Sequence, residues 1–414
     1  MSDHRKIAYS LPLDRIDVSN PDLYQQDVWR PYFERLRAED PVHFCANSRF
    51  GPFWSITRFD DCIKVDKDHH NYSAEPVITI GDPVPTDRPP PDMFIQMDPP
   101  RHDQRRNTVQ PAVAPRNLRN LEPLIRERVV QILDELPVGE TFDWVENVGV
   151  NLTSRMLATL FDFPQDERRK LIYWSDVFTD DPRTGASRYT AQERSDAVRD
   201  CMQTFTRLFA QRSAMPPGED IDLLSMLAHG PATQDLMDRP EELLGTLILL
   251  IVGGNDTTRN SISGGVMALN DFPDEYAKLR ADPGLITSMV PEIVRWQSPV
   301  LHIRRTMSND CDLNGKQLAK GDKVIMWYIS GNRDESAIER ADDFVIDRKN
   351  PRHHLSFGFG IHRCMGNRLA EMQLTVLWEE IVKRFSQVEV VGPAERLGSN
   401  LIRGITHLPV RLHA

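Results

Sequence analysis

No stretch of this 414-residue chain is apolar for long enough to cross a bilayer as a helix. The longest candidate, LILLIV at 247–252, ends at two glycines, far short of the ~20 residues a span needs. Positive charge is also in short supply. Lys and Arg number 50 against 61 Asp and Glu, a net charge of −11, which argues against binding to nucleic-acid backbones. Cysteines are few, odd in number and scattered, at 45, 62, 201, 311 and 364, and do not read as a disulfide framework. The opening MSDHRKIAYSLPLDR lacks the apolar core of a signal peptide. No internal repeat or low-complexity tract is visible. A cytoplasmic, monomeric protein is expected, with reduced thiols, no membrane anchor and no nucleic-acid partner.

Helical periodicity dominates what is present. It runs from about 114 to 290, broken by DDPRTGAS (180–187) and AMPPGED (214–220). The strongest helix is expected to start at DRPEELL, with Asp238 as cap and Pro240 in the first turn, and to reach about Asp271, where Pro273 stops it. Leu243, Leu244 and the apolar run 247–252 leave it almost no polar face, so burial all round is expected. Short strands are expected at PVHF and FWSITRF, and again in KVIMWYIS and the C-terminal LIRGITHLPVRL. The fold class is therefore mainly α with a minor β region. The helical bulk spans roughly 100–300, and the β-rich parts roughly 41–58 and 300–414. In PVPTDRPPPDMFIQMDPP (83–100), seven prolines surround Met93, Phe94, Ile95 and Met97. A solvated linker would avoid those side chains, so a loop folded over a site is at least as good a reading.

Four segments gather chemistry. GGNDTTRN (253–260) puts two glycines, an acid and two threonines inside the buried helix. Each glycine costs ~1 kcal/mol relative to alanine, and threonine can bond back to the carbonyl four residues earlier. Such violations mark functional sites more often than packing, though a polar kink is the plainer alternative. EIVR (292–295) sets Glu292 and Arg295 one turn apart, worth only ~0.2–0.5 kcal/mol on a solvated face and of interest only if buried. RHDQRR (101–106) puts His102 and Arg106 on one helical face, as a surface patch or an anion clamp. Arg304, Arg305 and His362 offer further donors. Finally, HLSFGFGIHRCMG (354–366) leads into a helix with an apolar face of Leu369, Met372, Val376, Leu377 and Ile381. Cys364 then lies near a helix N-terminus, where the dipole favours thiolate, and the glycines let backbone approach something flat. Phosphate-loop patterns are not met there, and no second cysteine pair lies at zinc spacing.

FGFGIHRCMGNRLAE is similar to the cysteine-ligand loop of cytochromes P450, the haem-thiolate monooxygenases. GGNDTT resembles the oxygen-activation segment of their long central helix, EIVR their Glu-x-x-Arg helix and RHDQRR their His-x-x-x-Arg propionate helix. NRDESAIERADDFVIDR resembles the meander before the cysteine loop, and all of these occur in the family's order over nearly the whole chain. The resemblance implies one haem domain over 1–414, with haem b between the central helix and the cysteine loop. It makes Cys364 the metal ligand, an axial thiolate that favours O–O cleavage. It places Phe357 on the proximal side, Gly253 (alanine in many members) and Gly366 against the cofactor, and His102, Arg106, Arg305 and His362 at the propionates. Arg304 is the less suited neighbour. Glu292 and Arg295 become structural, bracing the meander. Asp256 and Thr257 become the catalytic pair that delivers protons to dioxygen, with Gly253 and Gly254 opening the helix and Asn255 in the groove.

Within the family, LILLIVGGNDTTRNSISG, VPEIVRWQSP and NPRHHLSFGFGIHRC most resemble the bacterial branch that hydroxylates alkanes and fatty acids at the terminal carbon. That branch implies electrons from NADH or NADPH through a separate ferredoxin and ferredoxin reductase. The implied reaction inserts one atom of O2 into a C–H bond of a small, linear, apolar substrate, giving mainly the primary alcohol. A bulkier terpene- or steroid-like substrate is the alternative. A haem-binding sensor without turnover has no need of the Asp256–Thr257 pair, and peroxide-driven relatives usually alter it. The expected substrate walls are Ile78, Met93, Phe94, Val300, Leu301, Ile303, Leu401 and Ile402, and Leu301→Ala is expected to shift product towards subterminal alcohols. Arg101, Arg105, Arg352, Arg363 and Arg368 form an expected basic patch that would steer an acidic ferredoxin.

Overall fold

A computed structural model describes residues 3–83, 91–218 and 222–414; residues 84–90 of the proline-rich loop and 219–221, which include the end of AMPPGED, lie outside the described residues. The axis of the fold is the helix Pro240–Asp271, 32 residues long, or about 48 Å at 1.5 Å per residue. Pro240 opens it, but Asp238 does not cap it. Asp238 belongs to the short turn Leu236–Asp238, and Arg239 holds the cap position with no side-chain bond to the helix N–H groups, its guanidinium pairing instead with the Glu242 carboxylate. Proline at the first position removes one N–H that a cap would serve, and Glu241 and Glu242 supply negative charge to the first turn. Pro273 opens the next helix, Pro273–Ala281.

Small residues let neighbours close on this axis. A Cβ on Gly264 would lie 2.4 Å from Gln297 Oε1, and one on Gly265 would lie 2.8 Å from Ile293 Cδ1. Both contacts come from the helix Ile286–Gln297. Two apolar clusters share the axis. Ile262 and Val266 pack with Ile293, Trp378 and Leu412, while Leu243, Leu247 and Ile251 pack with Leu157, Trp174 and Phe205.

The expected strands appear as Val42–Cys45 and Phe53–Ile56, paired antiparallel. Phe53–Ile56 runs parallel to Lys323–Met326, which pairs antiparallel with Ile303–Met307, and Tyr72–Ser73 closes the edge. KVIMWYIS is strand only as far as Met326, and Tyr328–Gly331 turn helical. Alternation along Ile303–Met307 sends neighbouring side chains to opposite faces. Arg304 accordingly meets Asp82 at 2.8 Å and Arg305 meets Asp66 at 2.7 Å. A second sheet sets Pro409–His413 between Gln387–Val390 and Thr141–Asp143. The last of these interrupts the stretch expected to be helical, because Arg411 and its neighbours recruit it by backbone pairing.

Glu292 and Arg295 are both 0% exposed. Two bonds join them, Nε to Oε2 and Nη2 to Oε1, each 2.7 Å. Val345 N–H donates to Glu292 Oε1 at 2.8 Å and Arg348 Nε to Oε2 at 3.0 Å. Arg295 in turn donates to the carbonyls of Asn332, Ala341 and Asp343. The pair therefore pins the meander 332–348 to the helix, and breaking it strands a buried charge. Glu292→Ala should cost about 3–5 kcal/mol in urea unfolding. Arg5→Ala, which breaks a surface pair with Glu34, should cost under about 1 kcal/mol. Equal costs would count against the bracing role.

Candidate active site

A cavity lies between the central helix and the loop 354–366. Phe357, Gly358, His362, Cys364, Met365 and Gly366 line its loop side. Cys364 N–H donates to the Phe357 carbonyl at 2.8 Å, which closes the loop on itself. Gly358 and Gly360 take left-handed φ values of +65° and +64°, open at little cost only to glycine. Cys364 is exposed to the cavity, just before the helix Asn367–Arg384. Burial in the protein interior raises its thiol pKa, while the N–H groups of Gly366 and Asn367 and the guanidiniums of Arg106 and Arg363 pull it down. The helix end therefore favours the thiolate, as the dipole predicts, but burial outweighs it and the balance is upward. Metal coordination deprotonates a thiol outright.

Across the cavity the central helix presents Gly253, Thr257 and Ser261, four residues apart and so on one face. Nothing lies within 4 Å of a Cβ placed on Gly253, whereas one on Gly254 would meet Leu157 Cδ1 at 2.8 Å. The first glycine opens the helix to the cavity, and the second also admits a packed neighbour. Thr257 Oγ1 donates to the Gly253 carbonyl at 3.1 Å, the back-bond that threonine makes in helices. Asn255 does not reach the groove. It is 0% exposed and accepts from Thr153 Oγ1 at 2.8 Å. Asp256 is not part of the cavity wall either, since successive helical residues are turned by ~100°. Its carboxylate accepts from Arg259 Nη2 at 2.5 Å and Ser175 Oγ at 3.1 Å. Burial raises its pKa above the ordinary carboxylate value, and Arg259 opposes that rise.

His102, Arg106, Arg305 and His362 all line the cavity. His102 and Arg106 come from the helix Arg101–Val109, and Arg106 Nη2 donates to the Arg363 carbonyl at 2.6 Å. The rings of His102 and His362 meet edge-on, with centroids 4.3 Å apart. His102 Nδ1 contacts Asp103 at 2.8 Å, but its Nε2 and both ring nitrogens of His362 are buried without a partner. Orphaned polar atoms of this kind are costly, so three of them beside two guanidiniums describe a binding edge. Burial lowers the His102 pKa and takes that of His362 down to about 2, so these imidazoles act as neutral hydrogen-bonding groups and the arginines carry the charge. A flat group with carboxylates on one edge and a thiol-binding metal fits this set of donors.

The family model for cytochrome P450 matches residues 284–399. The chain is 36% identical to linalool 8-monooxygenase of Pseudomonas putida, over 97% of this chain and 99% of that protein. It belongs to the cytochrome P450 family. It is also similar to the solved structure of CYP153D17 from Sphingomonas sp. PAMC 26605, at 45% identity over 97% and 100% of the two chains, with a TM-score of 0.91. Methyl-branched lipid omega-hydroxylase of Mycobacterium tuberculosis is 30% identical over 97% of this chain and 95% of that one. As a P450 the protein is a monooxygenase with haem b as cofactor, fed with electrons from NADH or NADPH through redox partners. Among the described residues no helix is long and apolar enough to cross a membrane.

The apolar wall of this P450 includes Phe94, Val300 and Ile303 as expected, and also Ile95, Leu160 and Leu249. Phe94 and Ile95 come from the proline-rich loop, so its described part after residue 90 folds against the site. Leu301 does not line the cavity. It is 0% exposed and packs with Phe33, Trp327 and Ile329, because an extended segment turns adjacent residues opposite ways. Ile402 is buried across an isolated bridge from Val300. Leu401 and Ile78 contribute carbonyls, accepting from the N–H groups of Leu301 and Arg304 at 2.8 Å each, and their side chains are absent from the wall. Met93 precedes the turn Phe94–Gln96 and does not line the wall. The expected basic patch is also smaller. Arg101 pairs with Asp92, Arg105 with Glu242 and Arg352 with Glu371, and among the described residues Arg363 and Arg368 are exposed without an acidic partner.

The ligand assignment has a direct optical test. Haem-loaded, reduced protein under carbon monoxide should show the long-wavelength band of haem-thiolate proteins, and Cys364→His should abolish it. A Cys364→Ala protein that kept the band would remove Cys364 as the ligand.

Proposed function

We propose that this P450 hydroxylates medium-chain alkanes or fatty acids at the terminal carbon, with a ferredoxin and its reductase as redox partners. The observation that carries this reading is the wall around Thr257. Phe94, Leu160, Leu249, Val300 and Ile303 are apolar, and the charged lining residues among those described, Asp66, Arg106 and Arg305, belong to the His102–His362 edge. An alkyl chain gains ~0.8 kcal/mol for each CH2 it buries there. Selection of its end must then come from shape and position. Similarity to CYP153D17 and to an omega-hydroxylase supports the reading. Similarity to linalool 8-monooxygenase favours a second one, a terpenoid substrate.

Haem b supplies dioxygen activation. Cys364 would hold its metal, with His102, Arg106, Arg305 and His362 placed to meet its acidic edge. Gly253 leaves room on the helix, and Thr257 holds a hydroxyl proton at the cavity wall. Asp256 is one residue away but turned into Arg259 and Ser175, so it resupplies that proton only when its ion pair with Arg259 opens. Exposed Arg363 and Arg368 flank Cys364 in sequence and offer charge to an acidic ferredoxin.

Thr257→Ala should keep haem and substrate binding while NADH consumption outruns product and peroxide appears. Asp256→Asn should slow turnover. Both are read as NADH consumed per product with a surrogate ferredoxin system, and unchanged coupling and rate in the two variants would dismiss the relay.

The wall itself is tested with a panel of linear chains. Val300→Ala should raise the share of subterminal alcohols. Leu301→Ala should leave product ratios alone and lose about 2–5 kcal/mol of stability by opening a core void. Wild-type protein that ignores linear chains and oxidises a terpenoid alcohol selects the second reading.

A further inference from the structure

Nothing in the sequence marks Asp66 or Tyr328, yet both line the cavity together with Arg305. Asp66 lies in the last turn of the helix Phe59–Lys67 and is 3% exposed. Three donors converge on its carboxylate. Oδ1 accepts from Arg305 Nη2 at 2.7 Å. Oδ2 accepts from the Tyr328 hydroxyl at 2.8 Å and from the Phe359 N–H at 2.7 Å. The last of these belongs to the cysteine loop. Two glycines make the approach possible: a Cβ on Gly358 would lie 3.2 Å from Asp66 Oδ2, and one on Gly360 would lie 2.5 Å from the Asp66 carbonyl oxygen. Burial and the neighbouring carboxylate push the Tyr328 phenol well above its usual pKa, so it stays a neutral donor.

An arginine bonded to a buried aspartate is not a free cation. Arg305 Nη1 is also occupied, donating to the Arg304 carbonyl at 3.1 Å. Of the two guanidiniums that line the cofactor edge, one therefore arrives already paired. A merely structural Asp66 would explain how the loop is held. It would not explain why the same carboxylate also takes a charge away from the edge that meets the propionates.

We propose that Asp66 is a positioning residue that sets how much positive charge Arg305 presents to the haem edge, and so how readily the haem accepts the electron delivered by its redox partner. The inference rests on the haem reading above. The step is a one-electron transfer: the partner is oxidised, the iron is reduced, and no bond forms or breaks. A fixed negative charge in a poorly screened interior favours the more positive, ferric state, and electrostatics around a haem is a recognised lever on its potential.

Potentiometric titration of the haem-loaded protein tests this. Asp66→Asn keeps the shape and an acceptor oxygen while removing the charge. It should shift the ferric–ferrous equilibrium about tenfold towards ferrous, which for a one-electron couple is about 59 mV, with the carbon monoxide band kept. Tyr328→Phe keeps the charge but removes one donor that spreads it, so it should move the equilibrium the other way, by about two- to threefold. A ferrous shift in Asp66→Asn together with a ferric shift in Tyr328→Phe supports the proposal. Any other combination overturns it. If Asp66→Asn holds no haem, Tyr328→Phe decides alone: a shift towards ferric supports, and no shift or one towards ferrous overturns. A wild-type protein without the haem-thiolate band would instead sink the haem reading, and this proposal with it.

Discussion

The buried ion pair of Glu292 and Arg295 is the constraint from which the position of the cysteine follows. Taking two charges out of water costs several kcal/mol per ion unless every remaining valence is met, and here the meander meets them. The connection continues beyond the pair. Asn332, whose carbonyl accepts from Arg295, uses its side chain to accept from Leu355 N–H at 2.6 Å and to reach Ser356 Oγ at 2.9 Å. Ser356 Oγ in turn donates to the Val294 carbonyl at 2.8 Å. A chain of satisfied polar groups therefore runs from the Glu-x-x-Arg helix to the start of the cysteine loop. Such a network is rigid only while complete, which is why one missing carboxylate is expected to cost so much.

The loop is gripped from its other side by Asp66, and the two grips differ in kind. Asn332 and Ser356 hold the incoming strand of the loop through neutral bonds. Asp66 holds its turn through a charge that it shares with the cofactor edge. Gly358 and Gly360 are required by that second grip, because a side chain at either would press on Asp66 or its peptide. The loop's glycine content thus follows from a contact with a helix some three hundred residues earlier as much as from the turn itself.

The parts that could be read from the sequence are those where chemistry and spacing coincide locally. Cys364 before a helix, His102 and Arg106 four apart, and Glu292 with Arg295 each carry their geometry in one short segment. The parts that could not be read depend on direction across elements. Val300 and Leu301 are chemically alike, and only the register of an extended segment sends one to the cavity and the other to the core. Asp256 sits beside Thr257 in sequence, but a helical step turns it towards Arg259. Arg105 reads as a surface cation until the fold brings Glu242 to it. Asp66 carries no local signal at all, since the positions of its three partners are set by tertiary structure.

The electrostatics of the cavity bear on the substrate whichever chain or ring system is bound. Burial keeps His362 and His102 from carrying charge, Asp82 occupies Arg304, and Asp66 shares Arg305. What positive charge remains at the edge would be available to the cofactor's own carboxylates. Around Thr257 the described wall supplies no cation for an anionic group, and an uncompensated buried charge costs far more than burial of a few methylenes returns. The end of the substrate that approaches Thr257 must therefore be apolar. A terminal methyl of an alkane, the ω end of a fatty acid and a methyl of a terpenoid all satisfy that condition, and a carboxylate does not. Val300 and its apolar neighbours give that wall its shape, which is what such an end would meet.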